Sequence, residues 1–299
     1  MSFVFAAALL GFVTAITTAL PGTFLVLRGQ SMLVDAMSHA VLPGIVVGAL
    51  ISGKTHSPLM VLTAAVSGLI VVIGAEKLRQ TGLIAGDASQ GLIFPAMFAI
   101  GVILLSTVLK TVHICEDTVL TGDLNLMALE TERLIIGGRD FGPQTMWYLL
   151  AVFTVTGAYI AFTYRALKLT TFDPVLAKTI GMPVRAVEYG LMLLVSITVV
   201  VSFNTAGAIL VVAFMVIPPA TALLVSRSLP QMIALSLVVA GASALLGFAI
   251  AYKFDLATSS MMAVVDGAVF MAVLLATKLS GAVKGIRRSA NSRAVPARA

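Results

Sequence analysis

The chain is dominated by long stretches that lack charge, and these limit what it can fold into. Residues 1–27 contain no charged side chain, and comparable apolar runs follow along most of the chain. A run of about 18 or more apolar residues is long enough to cross a bilayer as a helix. The sequence therefore predicts an all-α, polytopic transmembrane helical bundle. Its candidate spans lie near residues 3–27, 33–52, 57–75, 90–109, 145–164, 186–203, 207–225, 230–251 and 259–277.

The number of spans depends on residues 189–226, which carry no charge over 38 residues. At about 1.5 Å per residue, one helix of that length would measure about 57 Å, almost twice the thickness of the hydrocarbon core. The segment must therefore fold back, and residues 204–207, which include Asn and Gly, are the natural turn. This gives nine spans, or eight if one segment is re-entrant or lies on the membrane surface.

The basic residues predict the orientation of the chain. With the N-terminus outside and the C-terminus inside, 14 of the 19 Lys and Arg residues fall on the inner side, as the positive-inside rule requires. The net charge of +6 is then a topology signal and does not indicate a nucleic-acid partner. Residues 1–283 are assigned to a single transmembrane domain. Residues 284–299, which combine basic residues with Ser, Pro and Ala, are predicted to form a disordered cytoplasmic tail.

Asp35 and His39 are the strongest candidates for a functional site, because an ionisable residue inside a span costs about 2.5–3.5 kcal/mol at the helix centre. Four residues apart on a helix, their Cβ atoms lie about 5–6 Å from each other on one face. Counting from Arg28 at the inner interface places His39 near the midplane of the membrane. The pair is therefore predicted to hold a metal ion on a transport path. Pro43 removes the amide that the His39 carbonyl would accept from, so the helix is predicted to open near the pair, with Gly44 as part of the hinge.

Three further positions inside the spans are candidates. Asp266 in the last span is a weaker candidate metal ligand, because it has no partner nearby in the sequence. Pro218 and Pro219 lie in the seventh span, where they are predicted to break the helix and to act as a hinge or a packing kink.

The longest connection, residues 111–144, is predicted to lie outside. Its acids outnumber its bases, which suits a mouth for cations, a docking surface or an ordinary solvated helix. His113, Glu116 and Asp117 are the candidates at this mouth, although their spacing matches no recognised zinc motif.

A loop on the inner side is predicted to contain a short helix at about residues 172–182. Asp173 is typical of an N-cap and the following proline of a first helical position, whereas Gly181 followed by Pro183 indicates a stop. A helix of about two turns between two spans suits a lever for a partner protein. An ordinary interfacial turn is the alternative.

Nothing in the sequence indicates an enzyme. It lacks a Walker phosphate-binding sequence, a nucleophile elbow and a helical HExxH motif. If transport is driven by ATP, the ATPase is therefore a separate chain. Besides an ATP-driven transporter of metal ions, two classes of protein stay open. One is a secondary metal carrier that works without an ATPase, and the other is a permease for a bulky metal chelate.

Several of these motifs together resemble the permease subunits of ATP-binding-cassette (ABC) importers of the manganese/zinc/iron class. The resemblance extends over about residues 3–280, and its first and last stretches are specific to this family. The matching stretches are residues 27–32 with 35–44 (DAMSHAVLPG), residues 87–91 (DASQG), residues 172–174 with Ala177 and Gly181, and residues 206–214 with 217–222 (IPPATA).

The resemblance implies a type II importer fold in a bacterial cytoplasmic (inner) membrane, with a second permease copy or a related permease as partner. Two ATPase subunits would bind at the coupling helix, around Phe172, Asp173, Ala177 and Gly181, and an extracytoplasmic metal-binding protein would deliver the ion. Asp35 and His39 are similar to the family's metal-coordinating pair. The substrate would be a divalent metal ion, with Mn²⁺ favoured over Zn²⁺ or Fe²⁺ because residues 120–124 look closer to manganese and iron relatives. No permanently bound cofactor is expected, and ATP would bind to the partner chain.

Overall fold

Long apolar helices make up almost all of the computed structural model, which describes residues 3–52, 58–82, 88–108, 124, 127, 133–136 and 139–293. Nine helices in these ranges are long and apolar enough to cross a membrane, so the prediction of nine spans is confirmed. All helices except the short α6 and α7 belong to this set. The helices are α1 (Phe3–Leu27), α2 (Met32–Ser52), α3 (Pro58–Gln80), α4 (Ala88–Val108), α5 (Gln144–Phe162), α6 (Tyr164–Phe172), α7 (Pro174–Thr179), α8 (Val184–Ala206), α9 (Ala208–Val225), α10 (Leu229–Phe254) and α11 (Thr258–Arg293).

A two-stranded antiparallel hairpin precedes α5. It consists of β1 (Arg133–Ile136) and β2 (Arg139–Pro143), with Ile136 opposite Arg139 in the register. Neither strand is predicted by the sequence pattern, which indicates a connection over the whole of residues 111–144. His113, Glu116 and Asp117, the candidates at the outer mouth, lie outside the described residues.

The helix α1 lies at the centre of a group of five helices. It packs against α5, α8, α9 and α10, and large side chains such as Leu10 and Phe24 are fully buried there. The threonines of α1 are also buried, and each hydroxyl donates a hydrogen bond to a carbonyl of the preceding turn, as Thr17 does to Val13 at 2.7 Å. Because these hydroxyls are satisfied within the helix, α1 can pack inside the protein without a polar partner on another helix.

The helix α2 is held between α3 and α4 by small residues. A Cβ added to Gly44 would lie 2.5 Å from the Ala64 Cα in α3, and one added to Gly101 in α4 would lie 2.8 Å from Cδ of Pro43. Such close backbone approach is typical of helix packing in membranes. The Ser67 hydroxyl also donates to the Ala40 carbonyl at 2.6 Å, so a side chain of α3 supports the backbone of α2 just before the proline.

The turn at Gly207 confirms that residues 189–226 fold back on themselves. The helix α8 ends at Ala206 and α9 begins at Ala208, with Gly207 between them at φ 77°. A positive φ is accessible to glycine at little cost, which explains why the reversal occurs at this residue.

The prolines inside the spans do not interrupt their helices. The predicted break at Pro218 and Pro219 is wrong, because α9 continues through both residues, and α2 likewise continues through Pro43. The freed carbonyl of Met215 lies directly against Gly22 of α1, so a small residue on a neighbouring helix accommodates it. The roles of Pro43, Gly44, Pro218 and Pro219 as hinges stay predictions.

The last helix continues to Arg293 and passes the boundary predicted at residue 283. The division of the chain into a transmembrane domain and a tail of residues 284–299 stays a prediction. So does the assignment of the N-terminus to the outside.

The packing of α2 on α3 can be tested with Gly44→Ala. We expect this change to destabilise the protein by about 1–3 kcal/mol, because the new methyl group would meet the backbone of α3 and not a flexible side chain. Thermal unfolding of the purified protein in detergent would show a lower midpoint. Gly91→Ala in α4 is the matched control, since a Cβ there meets nothing within 4 Å. Equal midpoints for the two variants would contradict the close approach of α2 and α3.

Candidate metal site

Asp35 and His39 lie together on one face of α2, as their spacing predicts. Nε2 of His39 is 3.7 Å from Oδ1 of Asp35. The side chain of Asp35 is 48% exposed and that of His39 is 32% exposed. In contrast, Ala36, Met37 and Ala40 on the remainder of the helix are buried. The pair therefore faces an open side of the protomer, where a further group can approach it.

Two aromatic residues of α4 hold the His39 ring. Phe94 stacks on the imidazole with ring centroids 5.6 Å apart and an angle of 28° between the planes. Phe98 meets the ring edge to face at 5.8 Å and 84°. These contacts restrict the rotation of the imidazole, so its nitrogen stays on the same side of α2 as the carboxylate.

The pair supplies one oxygen ligand and one nitrogen ligand, and this is fewer than a transition metal normally takes from protein. Among the residues that the structure describes, no group of three or more His, Cys, Asp or Glu side chains is placed to hold a metal ion. The assignment of Asp35 and His39 as metal ligands stays a prediction, and a metal ion held by this pair would need further ligands.

Asp266 is separated from this pair by the packing of the helices. It lies on α11, which packs against α9 and α10, whereas α2 packs chiefly against α3 and α4. Asp266 is 0% exposed, and within the described part of the chain neither carboxyl oxygen has a hydrogen-bond partner, although Ser243 of α10 is a neighbour. The assignment of Asp266 as a metal ligand stays a prediction.

The short helix predicted on the inner side is present as α7. Asp173 caps it, because its Oδ1 accepts a hydrogen bond from the Leu176 amide at 2.9 Å, and Gly181 ends the segment at φ 78°. Ala177 is fully buried and anchors the helix. Large apolar side chains on and beside α7 are exposed, namely Phe172, Val175, Leu176 and Ile180. An exposed apolar cluster of this kind is typical of a surface that another protein covers.

A polar cluster that the sequence does not predict surrounds Arg28, directly after the end of α1. Its Nη2 donates to Oγ1 of Thr170 at 3.1 Å and its Nε to Oγ1 of Thr171 at 3.2 Å. Its Nη1 lies 3.5 Å from Oε1 of Glu188 in α8. Burial lowers the pKa of Arg28, while the Glu188 carboxylate opposes this shift, and an arginine stays charged in either case. In the sequence, Glu188 near the start of α8 is a possible partner for Arg28, but the long stretch of chain between them hides the contact.

A cavity of about 100 Å³ adjoins this cluster. Arg28, Gln30, Glu188 and Gln90 line it, together with residues of α2 and α3. In the described ranges, Oε1 of Gln30 and Oε1 of Gln90 are buried without a hydrogen-bond partner. Gln30 and Gln90, which belong to two motifs far apart in the sequence, therefore line the same cavity.

The sequence also matches a known protein family over almost its whole length. The model of the ABC 3 transport family matches residues 1–277. The chain is 35% identical over 281 residues to the manganese transport system membrane protein MntD of Bacillus subtilis, and the match covers 94% of each chain. It is 38% identical over 276 residues to the zinc transport system membrane protein TroD of Treponema pallidum, covering 92% of this chain and 74% of TroD.

The fold is also similar to that of a solved structure. PsaBC from Streptococcus pneumoniae in complex with Fab contains a chain that superimposes with a TM-score of 0.73 at 28% sequence identity, covering 91% of both chains. Its fold agrees with the family match. The chain therefore belongs to the ABC 3 transport family and is a membrane permease of a metal ABC transporter.

Proposed function

We propose that this chain is the permease subunit of an importer that takes up a divalent transition metal ion across a bacterial cytoplasmic membrane. The observation that carries the proposal is the pair of Asp35 and His39 on α2, exposed on one side of a membrane helix and too small a ligand set for a metal. The match to the membrane proteins of manganese and zinc transport systems supports the same class of substrate.

A second permease copy, or a related permease, completes the site. Charged and polar side chains within a span rarely face lipid, because the hydrocarbon core cannot solvate them. Another protein surface placed against the exposed face of Asp35 and His39 would shield both side chains from lipid. A second copy placed there adds an equal pair, so two carboxylates and two imidazoles enclose the ion between the protomers.

Mn²⁺ is the favoured ion, with Zn²⁺ and Fe²⁺ as alternatives. A site of carboxylate and imidazole ligands without thiolate is compatible with each of them. The affinity order favours zinc over manganese at an unconstrained site, so selection of Mn²⁺ depends on geometry and on the protein that delivers the ion. The matches to membrane proteins of manganese and zinc transport systems agree with either of these two ions.

Transport proceeds by alternating access, with energy supplied by two ATPase subunits at α7. The exposed apolar side chains around α7 supply a docking surface, and the positive-inside rule places this end of the bundle in the cytoplasm. An extracytoplasmic binding protein delivers the ion at the opposite end. ATP binding in the partner subunits moves α7 and thereby changes the side from which Asp35 and His39 are accessible.

The transport function can be tested by replacing both ligands without changing their size, as Asp35→Asn with His39→Gln. In proteoliposomes that contain the permease and its ATPase, supplied with the binding protein and Mn²⁺, we expect uptake to fall by more than about tenfold, because the carboxylate charge and the imidazole nitrogen are both lost. Asp255→Asn is the matched control, since Asp255 is an exposed residue in the turn between α10 and α11. Retained uptake in the double variant would favour a chelate permease, and uptake without the ATPase would favour a secondary carrier.

The shared site predicts a definite stoichiometry. Equilibrium dialysis of the purified complex against Mn²⁺, followed by elemental analysis, should find one ion per two permease chains that is lost in the double variant. One ion per chain at saturation would contradict a site between two protomers.

A further inference from the structure

We infer that Arg28 is the positioning residue through which α7 acts on the helix that bears Asp35 and His39. The inference rests on the proposed function, in which α7 receives the movement of the ATPase. It concerns a residue that contacts neither the metal nor the ATPase surface, and it explains why a buried arginine lies at this point of the bundle.

Arg28 contacts the chain on both sides of α7. Its hydrogen bonds are accepted by Thr170 and Thr171. Both residues lie in the last turn of α6, which ends one residue before the N-cap of α7. Glu188 lies in the second turn of α8, the helix that follows α7. A displacement of α7 moves both flanking segments, so the guanidinium receives the movement from two directions.

Arg28 is also joined to α2 by a short and well-ordered turn. Gly29 adopts φ 65°, the Gln30 amide donates to the Leu25 carbonyl at 2.9 Å, and the Leu33 amide donates to the Gln30 carbonyl at 3.1 Å. Only residues 29–31 separate Arg28 from the start of α2. Because hydrogen bonds to both helices hold this turn, movement of Arg28 is passed to the first turn of α2, in which Asp35 lies.

An arginine suits this role better than a lysine. The guanidinium presents five donors in a fixed plane, and here it uses three different nitrogens for Thr170, Thr171 and Glu188. Its side chain is 9% exposed, so water competes little for these bonds. A flexible ammonium group, which is a single point of charge, cannot hold two separate segments in a fixed relation.

The cavity beside Arg28 gives the cluster room to rearrange. Close-packed side chains resist displacement, but a space of about 100 Å³ adjoins the guanidinium. Gln30 and Gln90 line this space with amide oxygens that have no partner among the described residues. When a movement of α7 draws the α6 threonines away, these oxygens are acceptors for the guanidinium, so Arg28 has a second set of partners in the other state of the transporter.

The experiment compares Arg28→Gln with Arg185→Gln in the full transporter complex in proteoliposomes. Arg185 is the matched control, since it is an exposed arginine in the first turn of α8 at the same end of the bundle. Mn²⁺ uptake and ATP hydrolysis are measured on the same samples. We expect Arg28→Gln to keep its bound ATPase and its Mn²⁺ binding, but to consume about tenfold more ATP per ion transported, because hydrolysis no longer moves α2. Arg185→Gln should keep the original ratio.

An unchanged ratio of ATP to ions in Arg28→Gln would overturn the inference, and so would a parallel loss of hydrolysis and uptake, which indicates only a structural role. If Arg28→Gln fails to assemble, Thr170→Val with Thr171→Val decides the question, since it removes the two acceptors and leaves the arginine in place. That variant should raise the ratio as well, and an unchanged ratio would refute the inference. A parent complex that takes up no Mn²⁺ would instead refute the proposed function.

Discussion

The cost of placing ionisable side chains at membrane depth governs this structure. Asp35 and His39 lie on α2 with a large part of each side chain exposed on the protomer, and hydrocarbon cannot solvate them. The helix that presents them is held by backbone contacts to α3 and α4, at Gly44 and at Gly101. The packed side of α2 therefore fixes the position of Asp35 and His39, while the opposite side of the helix leaves the two side chains accessible.

Much of the fold could be predicted from the sequence because it depends on local signals. The nine spans follow from the length of uncharged runs, and the reversal at Gly207 follows from a run too long for one helix. The cap at Asp173 and the face shared by Asp35 and His39 are likewise matters of spacing within a few residues.

The remaining features depend on contacts between distant parts of the chain, which spacing does not reveal. Arg28 donates a hydrogen bond to Thr171, which lies 143 residues further along the chain. The cluster therefore depends on how α1, α6 and α8 pack together. The predicted break at Pro218 and Pro219 was wrong for the same reason. A proline removes a hydrogen bond, but whether the helix opens depends on what packs beside it, and here Gly22 of α1 leaves space for the Met215 carbonyl.

The buried carboxyl group of Asp266 has a consequence for the biogenesis of the protein. An aspartate at the centre of a helix costs about 2.5–3.5 kcal/mol during insertion by the translocon, so α11 is poorly suited to leave that channel alone. The preceding helix α10 is joined to it by residues 255–257 and approaches it closely, since a Cβ on Gly247 would lie 2.5 Å from the Met262 Cα. With Ser243 of α10 beside the carboxyl group, insertion of α10 and α11 as one helical hairpin would lower this cost by placing the acid against a polar neighbour.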